Sequence, residues 1–335
     1  MNINNNINNN SAKINGDTTF VSNPSLKIDH VHLKVSNLED SVHFYQSILG
    51  FNVIDKDPKE DVVYLGPTSL SDDNDKYSSS ILVLTQTSKD KEKTNEQNGL
   101  KKEAGLFHFA ILLPERKYLA SFLQHVQKNL DSQFYEGMAD HAVSESIYLH
   151  DPDNTGIEVY RDRKPSEWRW INENKVYMVT DPLDVQNLLD QFGDEKWIGL
   201  PIHTSVGHVH LHVSNLVKAK KFYQGSLGLY HTATYPGAYF FAADGYHHHI
   251  ATNTWIGTNI APSSANDTQK PGLDHYAIKL PAKMEVIKRL KNHLIKEGLV
   301  IDEKLNYADI HESSSFYVYD HDGIKIQFVL LYLSH

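Results

Sequence analysis

The sequence predicts an α+β protein. Four βαβββ modules form two tandem domains, and the modules pair into curved mixed sheets. Three observations predict this. One strand–helix segment occurs twice, once in each half. A second strand–proline–helix segment is also duplicated. A histidine stands at the same place on the first strand of every module, at His30, His108, His208 and His275.

The first repeat sets "HVHLKVSNLEDSVHFYQSILGF" (30–51) over "HVHLHVSNLVKAKKFYQGSLGL" (208–229), with thirteen of twenty-two positions identical. An internal duplication of this length dictates the architecture before any local reading. Val31, Leu33 and Val35 alternate with polar residues, as do Val209, Leu211 and Val213, which is the period of a strand. Ser36-Asn37 and Ser214-Asn215 supply helix N-caps, and Gly50 and Gly228 end the helices. Phe44-Tyr45 and Phe222-Tyr223 are the aromatics of the buried helix face. The second repeat is "GLFHFAILLP" (105–114) over "GLDHYAIKLP" (272–281), each followed by an amphipathic helix, near 115–129 and 282–298. "SIYLHDPDNTGIEVYRD" (146–162) and "SFYVYDHDGIKIQFVL" (315–330) then read as strand, turn, strand.

The modules cover about 26–86, 105–162, 205–253 and 272–331. Grouped by halves, they give domain 1 over 26–163, a connector over 164–204 with a short helix starting near Asp181, and domain 2 over 205–333. Residues 1–25 are asparagine-rich and read as a disordered tail without the apolar stretch of a signal peptide. The lysine-rich run over 87–105 reads as a solvated linker.

Bulk composition narrows the function. A net charge of −10 argues against nucleic-acid binding. No apolar run is long enough to span a membrane. The absence of cysteine excludes disulfides, thiolate metal sites and cysteine nucleophiles, and fits a cytoplasmic protein. Histidine is abundant, at 20 residues, and it is the commonest metal ligand.

Alternate residues of a strand share a face, so two packed modules can aim two histidines and a carboxylate into one cup. Such a 2-His-1-carboxylate triad suits Fe(II) and leaves positions open for substrate and oxygen. The last strands of modules 2 and 4 place Glu158 and Gln327 in equivalent positions, and an amide is a poor ligand for a divalent metal. Two complete triads remain: His30, His108 and Glu158, or His208, His108 and Glu158. The run "GYHHHIATN" (245–253) favours the second. Read as the last strand of module 3, it turns His248 to one face and His247 and His249 to the other, and His248 can lean over the metal as an acid–base group. The matching stretch of module 1, "SSSILVLTQT", carries no histidine. Modules 2 and 3 are therefore the favoured pair. Singly, any of these histidines reads as a strand residue with its hydrogen bonds satisfied; their agreement on one site carries the argument. By the same weighing, His275 reads as structural.

Together, "GHVHLHVSNLVKAKKFYQ", "HHHIA", "LFHFAILLP" and "YLHDPDNTGIEVY" resemble the vicinal oxygen chelate superfamily. The resemblance covers roughly 26–333 and is closest to its two-domain extradiol dioxygenases, of the catechol 2,3-dioxygenase kind. It implies His208, His108 and Glu158 as ligands of Fe(II), with Mn(II) compatible with the same set. It further implies His248 as the acid–base residue, Tyr148 as a hydrogen-bond donor to substrate, and His141 as a supporting histidine. The implied partners are an aromatic diol, O2 and further copies in a homo-oligomer. The implied product is a hydroxymuconic semialdehyde. Gln327 departs from the pattern in which the two C-terminal modules hold the metal. Two other activities share the scaffold. Glyoxalase-type isomerases or thiol transferases tend to need a second glutamate, and small-molecule sequestration needs no ligands.

Overall fold

The computed structural model of the chain describes residues 20–57, 59, 61–67, 80–88, 102–281, 283–303 and 315–330. Residues 1–19 of the expected N-terminal tail and most of the lysine-rich linker lie outside these residues; residues 20–25, expected in the tail, are instead held against the fold, with Ser22 N–H donating to the Gly228 carbonyl at 3.0 Å and Phe20 stacked on His293.

Module 1 comprises β1 (Lys27–Val35), α1 (Leu38–Ser47), β2 (Asn52–Asp57), β3 (Val62–Gly66) and β4 (Leu82–Gln86). Module 2 comprises β5 (Gly105–Leu112), α2 (Arg116–Asn129), β6 (Tyr135–Asp140), β7 (Ser144–His150) and β8 (Gly156–Asp162). The connector holds a hairpin of β9 (Trp170–Asn172) and β10 (Lys175–Val176), then α3 (Val185–Phe192), capped by Asp184 rather than Asp181. Module 3 comprises β11 (Ser205–His212), α4 (Leu216–Lys220) with a π turn to Ser226, β12 (Tyr230–Tyr235), β13 (Ala238–Ala242) and β14 (Ile250–Asn253). Module 4 shows β15 (Gly272–Leu280), α5 (Met284–Lys296), β16 (Phe316–Tyr319) and β17 (Lys325–Leu330).

The repeat folds as its capping residues dictate. The side chains of Asn37 and Asn215 each accept two backbone N–H groups at the start of α1 and α4, satisfying donors the helix itself cannot. Gly50 and Gly228 follow the helices with φ of 75° and 70°. A Cβ on Gly50 would approach the Gly199 Cα to 2.6 Å, so the connector packs where only glycine fits.

The modules pair crosswise. A seven-stranded sheet runs β16-β17-β15-β1-β4-β3-β2, and an eight-stranded sheet runs β12-β13-β14-β11-β5-β8-β7-β6. Module 1 thus shares a sheet with module 4, and module 2 with module 3. In each sheet the two first strands meet antiparallel, β1 with β15 and β5 with β11. Each first strand also pairs in parallel with the last strand of its own module. The aromatics of α1 and of the π turn after α4, Phe44-Tyr45 and Phe222-Tyr223, pack into one continuous apolar core. Across that core the Tyr45 hydroxyl donates to Asp151 Oδ2 at 2.8 Å, and Tyr223 repeats the bond to Asp320 Oδ2 at 2.9 Å. The aspartates of the sequence-predicted turns therefore lock each module of one sheet to its neighbour in the other. No described helix is long and apolar enough to cross a membrane.

Candidate metal centre and its cavity

Register builds the centre. On the three adjacent strands β11, β5 and β8, Ala110 lies opposite His208 on one side and Glu158 on the other. Residues opposed in a ladder share a face, and His108, two residues before Ala110, shares it too. The small Ala110 leaves open the space into which three longer side chains reach. An irregularity at Gly207 sets the register of His208. A Cβ at Gly207 would lie 1.7 Å from the Tyr160 hydroxyl, so any side chain there would have to displace the buried Tyr160 ring.

The convergence is tight. His108 Nε2 and His208 Nε2 lie 3.0 and 3.1 Å from the same oxygen, Glu158 Oε2. One ligand atom from each residue falls within 4.8 Å of the others, and all three residues are buried. Glu158 Oε1 is held by the Ser146 hydroxyl at 2.6 Å, which leaves Oε2 for the centre. Burial works against ionisation of Glu158, but the two histidines outweigh it and hold the carboxyl well below its usual range. Burial pushes His208 down to about 4. The site is thus an ionised carboxylate beside an imidazole poised neutral, the protonation states that metal ligation requires. The donor set fits one divalent cation of borderline or hard character, with two nitrogens, one oxygen and no sulfur.

Tyr148 is opposite Glu158 in the β7–β8 ladder and faces the same cup. Burial, then the charge of Glu158, raise its hydroxyl well above the ordinary value, so it is a donor. It bonds His141 Nε2 at 2.6 Å, while His141 Nδ1 bonds the Val179 carbonyl at 2.6 Å. A carbonyl only accepts, so Nδ1 carries the proton and Nε2 accepts from Tyr148.

His248 enters the same cavity, with its ring 4.1 Å from that of His208. Its backbone differs from the sequence expectation. β14 begins only at Ile250, and His247–His249 lie in the turn before it. The three rings therefore do not alternate across a sheet: His247 Nδ1 and His248 Nδ1 bond each other at 2.8 Å. Ser146, Val179 and Asp162, which bonds His247, had not been singled out from the sequence. Ser146 is two residues from Tyr148 on one strand face and was accessible to strand periodicity. A backbone carbonyl leaves no such trace.

The cavity holds about 620 Å³. Its polar end is the centre just described. Phe107, Phe240 and Trp255 wall one part, and Ile171, Val176 and Met178 of the connector wall another. His210 also lines it; burial drives its imidazole well below the ordinary value.

The triad of His30, His108 and Glu158 does not form. His30 belongs to the other sheet and bonds Asp29 at 2.9 Å. In that sheet the duplicate cup is rebuilt. Gln327 lies opposite Ala277 as Glu158 lies opposite Ala110. His32, Asp274 and His275 cluster there with ligand atoms within 4.8 Å. Asp274 Oδ1 takes a hydrogen bond from His275 Nδ1 at 2.7 Å and from the buried Lys325 ammonium at 3.2 Å. Lys325 occupies the position of Gly156, two residues before the Gln327 or Glu158 site, and its Nζ sits 4.3 Å from the Tyr317 ring centre. An internal cation thus neutralises this second carboxylate.

The model of the "Glyoxalase/Bleomycin resistance protein/Dioxygenase superfamily" matches residues 27–159 and 205–328. A Bacillus subtilis (strain 168) protein named "Catechol-2,3-dioxygenase" is 36% identical over 305 residues, covering 90% of this chain and 97% of its own. Among solved structures, a putative dioxygenase from B. subtilis matches with a TM-score of 0.58 at 10% identity, over 93% of this chain and 86% of its own. Glyoxalase I from Zea mays matches with a TM-score of 0.53 at 15% identity, over 91% and 92%. At these identities the two structures speak for the fold alone. The duplicated modules, their crosswise sheets and the matched segments together place the chain in the glyoxalase/bleomycin resistance/dioxygenase superfamily.

Proposed function

We propose that the protein is an Fe(II)-dependent extradiol dioxygenase that opens an aromatic diol with O2. The observation that carries this reading is the convergence of His108 Nε2 and His208 Nε2 on one Glu158 oxygen, in a cavity that His248 and Tyr148 also line. The relative named catechol-2,3-dioxygenase, similar over nearly its whole length, supports it. Mn(II) suits the same three ligands, and metal analysis of the purified protein distinguishes the two.

When bound, the metal acidifies the diol hydroxyls and holds diol and oxygen side by side. His248, at the cavity wall beside His208, takes the proton of a diol hydroxyl and later returns it. The Tyr148 hydroxyl gives its one hydrogen to His141 Nε2, so toward the substrate its oxygen accepts a hydrogen bond from a diol hydroxyl, with His141 fixing its direction. The apolar walls sort the ring from water. Both oxygen atoms of O2 enter a hydroxymuconic semialdehyde-type product, so the balance needs no further reductant.

The test is catechol and O2 added to anaerobically purified, Fe(II)-loaded protein. Yellow ring-opened product is expected from the wild type and from His30→Ala, and none from His208→Ala. An iron-loaded wild type that produces no colour from catechol or methylhydroquinone overturns the reading in favour of the isomerase or binding alternatives. The cysteine-free composition fits a cytoplasmic location.

A further inference from the structure

The run of three histidines contains a second feature. His247 is fully buried, and its Nε2 lies 2.7 Å from Asp162 Oδ1. Asp162 Oδ2 accepts the Tyr246 hydroxyl at 2.9 Å. The other nitrogen of His247, Nδ1, faces His248 Nδ1 at 2.8 Å. The Thr232 hydroxyl bonds the His247 carbonyl at 2.5 Å, and the Tyr246 ring packs, tilted, 4.1 Å from the His247 ring. This ring has one available orientation.

The donors and acceptors in the chain follow in order. An ionised carboxylate only accepts, so His247 Nε2 carries a hydrogen. In a neutral imidazole the other nitrogen then holds a lone pair, so His247 Nδ1 accepts. The atom facing it, His248 Nδ1, must therefore donate. That leaves the lone pair of His248 on Nε2. Among the described residues no group hydrogen-bonds that nitrogen, and the side chain lines the cavity. We infer that Asp162, acting through His247, fixes the tautomer of His248 and so presents a proton acceptor, rather than a donor, to the substrate. Asp162 and His247 are positioning residues in this scheme. Only His248 meets the substrate, taking the diol proton on Nε2 while Nδ1–H stays bonded to His247, and returning it to the product. Two imidazoles in series under one carboxylate extend the logic by which an aspartate orients a single catalytic histidine. The role of His248 rests on the proposed dioxygenase reading; its tautomer does not.

The tautomer is read directly from the ¹⁵N shifts and long-range couplings of the histidine rings in the diamagnetic, zinc-loaded protein. The wild type is expected to show His248 protonated on Nδ1 alone. Asp162→Asn, equal in size, can offer His247 either an oxygen or an amide hydrogen, and is expected to give His248 a mixture of both tautomers. In the iron-loaded enzyme the same change lowers kcat about 10²–10⁴-fold, the range that a positioned general base supplies, with little change in KM. Tyr246→Phe removes the other hydrogen bond on Asp162 but keeps the Asp162–His247 bond, and is expected to leave the His248 tautomer as in the wild type, which separates tautomer control from loosening of the turn. A wild-type His248 protonated on Nε2 overturns the inference. So does an Asp162→Asn variant with an unaltered tautomer, or one with a mixed tautomer and an unaltered kcat. If the iron-loaded protein opens no diol, the dioxygenase reading fails, and the NMR result still decides who sets the ring of His248.

Discussion

The hydroxyl of Tyr45 reaches from one sheet to Asp151 of the other, and Asp151 is fully buried where it receives that bond. Burial pushes its carboxyl up to about 6, despite hydrogen bonds from Thr155, Tyr45 and Asp153. The sign of the consequence is fixed. The folded protein holds this proton more tightly than the unfolded chain does. The contribution is therefore fully present below the unfolded pKa of about 4 and is lost as pH rises through about 6. Asp151→Asn removes the dependence. Relative to wild type, the variant should gain on the order of 3 kcal/mol in going from about pH 4 to about pH 7, less a constant cost for the altered hydrogen bonds. Denaturant unfolding of both proteins at the two pH values measures the difference, in which other titrating groups cancel.

Ala110 is the floor of the metal centre. Ala110→Leu should place a side chain where the two imidazoles and Glu158 converge. Metal uptake should be lost while the fold persists, at a packing cost of about 1–3 kcal/mol. Metal content and thermal unfolding of the variant check the two halves of this expectation.

Metal stoichiometry should be one ion per chain. The duplicate cup already holds the Lys325 ammonium against Asp274, and a divalent ion there would have to displace that cation from its carboxylate. Glu158→Ala should therefore empty the protein of tightly bound metal, and His275→Ala should leave the content at one. Stripping the metal from the wild type should lower its unfolding free energy, by about 2.7 kcal/mol relative to protein with free metal at a hundred times Kd. Elemental analysis and titration with Co(II) provide both readings.

The connector walls part of the cavity through Val176 and Met178. A volume near 620 Å³ suits a ligand larger than one aromatic ring, since pockets of about 300–1,000 Å³ hold drug-sized molecules. Val176→Trp should raise KM for diols bearing a bulky apolar substituent about tenfold, the worth of one or two lost methylene contacts, and leave catechol little affected. Parallel steady-state kinetics with the two substrates test it.

Much of this centre was legible in the sequence because strands report their faces. The repeat and strand alternation pointed to His108 and Glu158, the resemblance added Tyr148, and Gln327 in place of the glutamate with the histidine run of module 3 pointed to modules 2 and 3 as the pair. The turn before β14 was not legible. "HHHIATN" continues without a break in polarity, and only the backbone reversal at Gly245, with φ of 68°, starts the strand late enough to free His247 and His248 from alternation. The bond between His247 and Asp162 joins residues distant in sequence, so no local pattern announced it. Lys325 was passed over for a related reason. It reads as a strand lysine until the neighbouring strand supplies Asp274.

Crosswise pairing also has a meaning in time. The ribosome releases β5 and β8, with His108 and Glu158, well before β11 delivers His208. It releases β1 at the outset, although its antiparallel neighbour β15 comes near the end. The first half of the chain cannot close either sheet alone; until the second arrives, both β1 and β5 present bare edges. Such unpaired edges invite association with other chains until they are covered. The candidate ligand set is completed by β11, when the second half of the chain has only begun to emerge.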